Sequence, residues 1–298
     1  MALESLTSRV QRVNIFNFVN AYCLDNGEGD WVLLDTGVPP ARKLLQSAAL
    51  EKGKPPVAIV LTHGHLDHCG TAGDLAREWG VKVYAHRLEK PYLTGESFYP
   101  PADPTVGGAL AQVARFMPPQ KFDISDVLET LPDSGHLDVL PGWRVIDTPG
   151  HSPGHVSLWH EDDRVLLAGD ALCTADMDSP LGMMTLKPTQ FARGGTPFVP
   201  DWDASKRSLG LLADLEPVTV GAGHGIPIAD GDTPQRLRDF YHSFSPPSHG
   251  RYVPIPANWD ESGITFLPPA PPDSLPRNAA LGALAGAAAF MVLHKTRK

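Results

Sequence analysis

The stretch Val57-Ala58-Ile59-Val60-Leu61-Thr62-His63-Gly64-His65-Leu66-Asp67-His68 decides how this chain folds and what it holds. Val57 to Leu61 is an apolar run of strand length, so a short buried strand is expected there. It runs straight into three imidazoles and a carboxylate between positions 63 and 68. A core gains nothing from such a cluster, because every buried polar group needs a partner. Imidazole and carboxylate together suit zinc, iron or manganese. His63 and His65, two apart, can point the same way from an extended turn. Asp67 and His68, one turn further on, can face a neighbouring position, so one loop can feed two adjacent ions.

Outward from this loop, strand and helix patterns alternate. Residues 13–24 alternate polar and apolar side chains, the period of a half-buried strand. Trp31 to Leu34 is a second apolar run, and Gly27 and Gly29 between the two predict a hairpin. Pro39-Pro40 opens a helix to about Leu50, Thr71 to Trp79 reads as another, and Val81 to Ala85 as a strand. Residues 88–135 are irregular, with a helix expected over Val106 to Arg115. Long excursions of this kind often act as lids or substrate walls. Strands are expected again at His136–Leu140, Trp143–Asp147, Val156–His160 and Arg164–Ala168. A helix over Trp202–Leu215, a strand at Val218–Val220 and a helix from Thr233 to about Phe244 complete the pattern. This order predicts mixed α/β layers.

Further ligands stand where these strands end. Thr148-Pro149-Gly150-His151-Ser152-Pro153-Gly154-His155 places His151 in a tight turn after one strand. Leu167-Ala168-Gly169-Asp170 places a carboxylate after another, and Gly223-His224-Gly225 an imidazole after the last. The flanking glycines allow close backbone approach.

The combination HxHxDH, TPGHSPGH, LAGD and GHG, within residues 10–245, resembles the metallo-β-lactamase superfamily of hydrolases. That resemblance implies a four-layer αβ/βα sandwich of two mixed β-sheets flanked by helices, with the site at one edge of the sheets. It implies that His63, His65 and His151 hold one metal, that Asp67, His68 and His224 hold a second, and that Asp170 bridges them. Asp35, in Leu34-Asp35-Thr36-Gly37, matches a residue that holds a ligand in place. Two divalent ions are expected, zinc first, with iron and manganese as alternatives. Such a pair brings the pKa of a shared water from ~15.7 to near neutral. The resulting hydroxide attacks a carbonyl, with Asp67 orienting the nucleophile or passing on its proton. Hydrolysis of an ester, lactone or thioester follows, lactonase-like or glyoxalase II-like. The alternatives are an iron-dependent sulfur dioxygenase and a phosphodiesterase or nuclease of the same fold.

Composition bears on the partner. The 298 residues carry a formal charge of −9 and no basic run, so nucleic acid is not an expected partner. Met177, Met183, Met184, Phe191, Phe198 and Trp202 offer side chains for either a core or an apolar substrate wall, which favours a small molecule with an acyl or apolar part. Three cysteines without a CxxC pair, and no apolar run near Met1, lead us to expect a cytoplasmic enzyme. We expect residues 1–245 to form the catalytic domain and residues 246–277 a proline-rich linker or extension. Residues 278–298 form an apolar tail flanked by basic residues, read either as a loose helix or as a membrane anchor.

Overall fold

The computed structural model of the chain describes residues 3–117 and 121–272. The first sheet has seven strands in chain order: β1 (Leu3–Ser5), β2 (Val10–Ile15), β3 (Val19–Asp25), β4 (Trp31–Leu34), β5 (Ala58–Val60), β6 (Lys82–Ala85) and β7 (Leu128–Thr130). It is antiparallel from β1 to β4 and parallel from β4 to β7. Helices α1 (Arg42–Glu51), α2 (Leu66–Cys69) and α3 (Ala72–Trp79) fall between its strands. Two short helices, α4 (Lys90–Leu93) and α5 (Ala109–Ala114), lie in the excursion between β6 and β7.

The second sheet runs β13-β10-β9-β8, built from β8 (Trp143–Asp147), β9 (Val156–His160), β10 (Val165–Leu167) and β13 (Thr219–Gly221). Between β10 and β13 come the ribbon β11 (Leu172–Cys173) and β12 (Ala192–Arg193), and helices α6 (Pro180–Thr185) and α7 (Trp202–Asp214). Helix α8 (Thr233–Ser243) and the hairpin β14 (Asn258–Asp260) and β15 (Gly263–Phe266) close the described chain.

Side-chain alternation explains the layering. In β4, Trp31 and Leu33 face a core shared with Leu45 of α1 and Leu75 of α3. Val32 and Leu34 face the opposite way, into a core shared with Leu158 of β9 and Leu167 of β10. On the far side of the second sheet, Trp159 and Leu166 pack with Leu209 and Leu212 of α7 and Leu237 of α8. Period-two strands with both faces apolar need a layer on each side. The result is helices, sheet, sheet, helices: the expected four-layer αβ/βα sandwich.

Two local expectations are revised, and the segment read as linker or extension is described in part. Residues 13–24 form parts of two strands, joined at Phe16 and Asn17, whose φ values are 58° and 54°. Positive φ at two successive residues reverses the chain, which an alternation count does not register. His136–Leu140 forms no strand. Leu137 and Leu140 anchor it as a turn in the inter-sheet core. The stretch after Ser245 is packed where described: Tyr252 and Ala257 are buried among α7 and α8, and Leu267 leans on them. Among the described residues no helix is long and apolar enough to cross a membrane, and the tail 278–298 lies outside them.

Candidate metal centre

All seven expected ligands come together at the ends of β5, β8, β10 and β13. Strand β5 enters the His63–His68 loop, whose last turn is α2. The turn between β8 and β9 carries His151, the end of β10 leads to Asp170, and that of β13 to His224. Their potential ligand atoms form three overlapping groups: His63, His65 and His151; His63, His68 and Asp170; and Asp67, His68 and His224.

In the first group, His65 Nδ1 lies 3.0 Å from His63 Nε2 and 2.9 Å from His151 Nε2. Nitrogens bound to one tetrahedral zinc at ~2.0–2.1 Å would stand about 3.3 Å apart, close to these separations. In the third, His224 Nε2 is 3.3 Å and His68 Nε2 3.9 Å from Asp67 Oδ2. Asp170 Oδ2 lies between the groups, 3.6 Å from His151 Nε2, 3.5 Å from His68 Nε2 and 3.3 Å from His224 Nε2.

The opposite ring nitrogen of four histidines is held by the protein, which fixes the edge each presents. His63 Nδ1 meets Thr62 Oγ1 at 3.1 Å, and His68 Nδ1 meets Asp35 Oδ2 at 2.8 Å. His151 Nδ1 bonds the Gly194 carbonyl at 3.0 Å, and His224 Nδ1 that of Phe18 at 2.7 Å. Asp35 is itself pinned, accepting from the Thr62 N–H and the Thr62 hydroxyl, each at 2.8 Å. The expected supporting role of Asp35 thus has a physical form: it orients His68 and the start of the motif loop. His155 Nε2 accepts the Asp170 N–H at 2.9 Å, so the second histidine of TPGHSPGH places the carboxylate.

Charge divides the cluster. Burial, then the neighbouring His68, His65 and His151, hold His63 well below the usual imidazole range. Burial and His151 bring His65 down to about 3. Burial also opposes charge on His68, but Asp170, Asp35 and Asp67 outweigh it and raise this imidazole to about 10. His224 is raised likewise, with burial overcome by Asp170 and Asp67. Burial works against ionising Asp170, yet His224 and His68 draw it well below the usual carboxylate range. Burial thus disfavours charge on His63 and His65, whereas Asp170 and Asp67 favour it on His68 and His224.

This donor set fits divalent metal ions. His68 Nε2 and Asp170 Oδ1 are buried without a hydrogen-bond partner, a costly arrangement that metal ligation would resolve. Gly223 has no room for a side chain, because a Cβ there would collide with Asp170 Oδ1 and His68 Cε1. The GHG motif therefore serves the carboxylate as well as the histidine.

Two further contributors were not expected from sequence. Glu89, fully buried, accepts from the Gly64 N–H at 2.9 Å, the Ser152 hydroxyl at 2.7 Å and the Gly154 N–H at 2.7 Å. It thereby ties the His63–His68 loop to the loop of His151, and the Tyr99 hydroxyl donates to it as well. Gly194 is the other: a Cβ there would overlap the Asp170 carbonyl. Nothing local in the sequence marks Glu89, whereas the Gly194-Gly195 pair was an available signal for the other. Cys69 donates its thiol to the Gly64 carbonyl at 3.2 Å, and Cys173 packs in a small apolar cluster with Met177 and Leu186.

The cluster opens on a cavity of about 830 Å³. The excursion of residues 88–135 supplies much of its wall, from Phe98 to Ala102 and from Ala114 to Met117. Of the apolar side chains noted between 176 and 202, Met177 and Phe198 line it, whereas Phe191 and Trp202 belong to the core beneath α7 and α8.

The chain belongs to the metallo-β-lactamase superfamily, whose sequence model matches residues 14–224. That is a superfamily of metal-dependent hydrolases. A probable metallo-hydrolase of Bacillus subtilis, YflN, is 39% identical over 204 residues, which are 66% of this chain and 76% of the relative. Hydroxyacylglutathione hydrolase GloC of Haemophilus influenzae is 31% identical over 171 residues, covering 56% of this chain and 68% of its own length. Matches to other curated relatives span between 52% and 83% of those proteins. Among solved structures, TTHA1623 in a di-iron-bound form is 27% identical with a TM-score of 0.50, over 77% of this chain and 93% of that one. The archaeal superfamily protein ST1585 of Sulfolobus tokodaii shares the fold at 22% identity and a TM-score of 0.54, over 81% and 85% of the two chains.

Proposed function

We propose that this chain hydrolyses an ester, lactone or thioester with two divalent cations, zinc in the first place. His63, His65 and His151 would hold one, Asp67, His68 and His224 the other, with Asp170 shared. The observation that carries this reading is the position of Asp170 Oδ2, within 3.3–3.6 Å of ring nitrogens from both halves of the cluster. Bound there, the cations would activate water at neutral pH and polarise a substrate carbonyl.

The chain's own groups supply the rest. Asp67 lines the cavity, and its side chain is 25% exposed, the most accessible of the carboxylates in the cluster. It is placed to orient the attacking water, take its proton and deliver that proton to the leaving group. Asp35, Thr62, Gly194 and Phe18 fix the imidazole edges, so little reorganisation is needed when charge develops. The apolar wall lowers the polarity around the cluster, which strengthens electrostatic contacts beside it.

Support for a two-metal hydrolase over a one-iron dioxygenase comes from Asp67, His68 and His224, all present and grouped. The di-iron-bound relative keeps iron as the second choice of metal. Metal analysis of the purified protein, followed by a panel of uncharged esters, lactones and thioesters, tests the proposal. Turnover that follows bound metal is expected. A single iron with oxygen uptake on sulfur substrates would replace the reading.

A further inference from the structure

The cavity that opens on the metal cluster is walled by hydrocarbon almost to the ligands. Phe98, Leu110, Phe116, Met177 and Phe198 line it together with several prolines. Apolar rings touch the cluster from two sides. Phe198 stands 5.6 Å from His65, centroid to centroid, and Phe18 stands 5.1 Å from His224. A chain leaving the reacting carbon would therefore meet apolar surface at once.

Charge is sparse beyond the cluster. Arg115 is the one cationic lysine or arginine among the described lining residues. Its guanidinium is already engaged, with Nε donating to Gln112 Oε1 at 3.1 Å and a terminal nitrogen donating to the Pro104 carbonyl at 3.2 Å. The other charged lining groups are the acids and histidines of the cluster itself. A glutathione-type leaving group carries carboxylates that need fixed cationic partners, and among the described lining residues Arg115 alone could meet them. The volume of about 830 Å³ lies in the upper part of the ~300–1,000 Å³ range usual for small-molecule sites. An acetyl or lactoyl group would leave most of it unfilled.

We infer that the substrate is an ester or thioester of an unbranched, uncharged acyl chain of medium length, with the chain lying along the wall formed by Phe98, Leu110 and Phe198. This rests on the hydrolase reading given above. In the reaction, water adds its oxygen to the acyl carbon and the carbon–sulfur or carbon–oxygen bond breaks. The thiol or alcohol departs with a proton, leaving the fatty acid.

A series of N-acetylcysteamine thioesters, from acetyl through butyryl and hexanoyl to octanoyl, tests it on the metal-loaded enzyme. Each methylene that enters the wall is expected to raise kcat/KM about fourfold, the equivalent of ~0.8 kcal/mol, until the cavity is filled. The hydroxyacyl thioester of glutathione should be turned over at least tenfold less efficiently than the octanoyl compound. Leu110→Trp, which fills the wall, should shift the optimum to shorter acyl groups. Phe98→Gln, at a residue 49% exposed, should flatten the series. Ratios within the series do not depend on how much of a variant folds.

A second readout needs no turnover. The octyl thioether of N-acetylcysteamine should bind metal-free protein with a negative heat-capacity change, and the ethyl thioether should bind far more weakly. Turnover that is flat in chain length, or that favours the glutathione thioester, overturns the inference and leaves the hydrolase reading standing. Octyl binding without turnover of any ester or thioester keeps the apolar site and removes the hydrolase reading.

Discussion

At the scale of single residues, Asp170 is held from every side. His155 holds its N–H, Gly194 and Gly223 leave room for its carbonyl and carboxylate, and Oδ2 faces three imidazoles. Asp170→Ala is expected to lower metal content and to cut kcat by at least ~100-fold, read by metal analysis and steady-state rates on the same preparation. Full activity with unchanged metal would remove the bridging role. Glu89 acts at one remove, through the two loops that it ties together. Glu89→Gln keeps its shape but replaces an acceptor with a donor toward Ser152, Gly154 or Gly64. Groups that orient ligands commonly cost ~10–100-fold in metal affinity when changed. We expect a loss of that size in a competition titration against a chelator; wild-type affinity would mean that Glu89 serves packing alone.

The elements explain why the ligands converge. Each strand that delivers one is short, and β5, β10 and β13 are buried along their whole length, so the strand ends are fixed by the sheets and the turns beyond them carry the polar side chains. That is also why the candidate positions were legible. His63 to His68, His151, Asp170 and His224 each follow an apolar run that a period-two pattern identifies, and glycine marks the turn. Glu89 was not legible, because nothing local distinguishes a buried acid from a surface one in Arg87-Leu88-Glu89. Its role arises from contacts with residues 25 to 65 positions away. The turn at Phe16-Asn17 was hidden for a related reason: its left-handed backbone is imposed by pairing of β2 with β3, and neither residue is glycine. The chain after Ser245 reads as linker by its prolines, yet Tyr252 and Ala257 are buried against α7 and α8. Removing residues 246–298 is therefore expected to destabilise the protein by ~2 kcal/mol or more, a shift visible in the urea midpoint. Removing residues 273–298 should leave both stability and turnover unchanged. Equal behaviour of the two truncations would show that the segment 246–272 merely rests on the core.

For the whole molecule, the metal centre couples folding to protons and cations. His68 and His224 are raised by the neighbouring carboxylates, which favours their protonated forms in metal-free protein. An imidazole whose folded pKa exceeds its unfolded ~6.5 stabilises fully below that value, and the stabilisation fades as pH rises toward the folded pKa. For His68 that window runs from ~6.5 to about 10. Asp67 and Asp170 are lowered, so their contribution is present above the ordinary carboxylate range and fades as pH falls below it. Metal-free protein should accordingly melt highest at about pH 6.5, losing Tm toward pH 10 as His68 and His224 give up protons, and toward acid because His63, His65 and His151 are held below the usual imidazole range. Loading zinc at pH 7 should release protons, because ligating imidazoles must be neutral; calorimetry in two buffers of different ionisation heat reads their number. No proton release would contradict the charge division within the cluster.

The most direct measurement is the metal-to-protein ratio of correctly folded chain, loaded with excess zinc and then freed of unbound ion. Two ions per wild-type chain are expected, with Asp170→Ala and His224→Ala each holding fewer. A ratio of one or none in wild-type protein, with its fold intact by circular dichroism, would contradict a paired site built from these seven side chains.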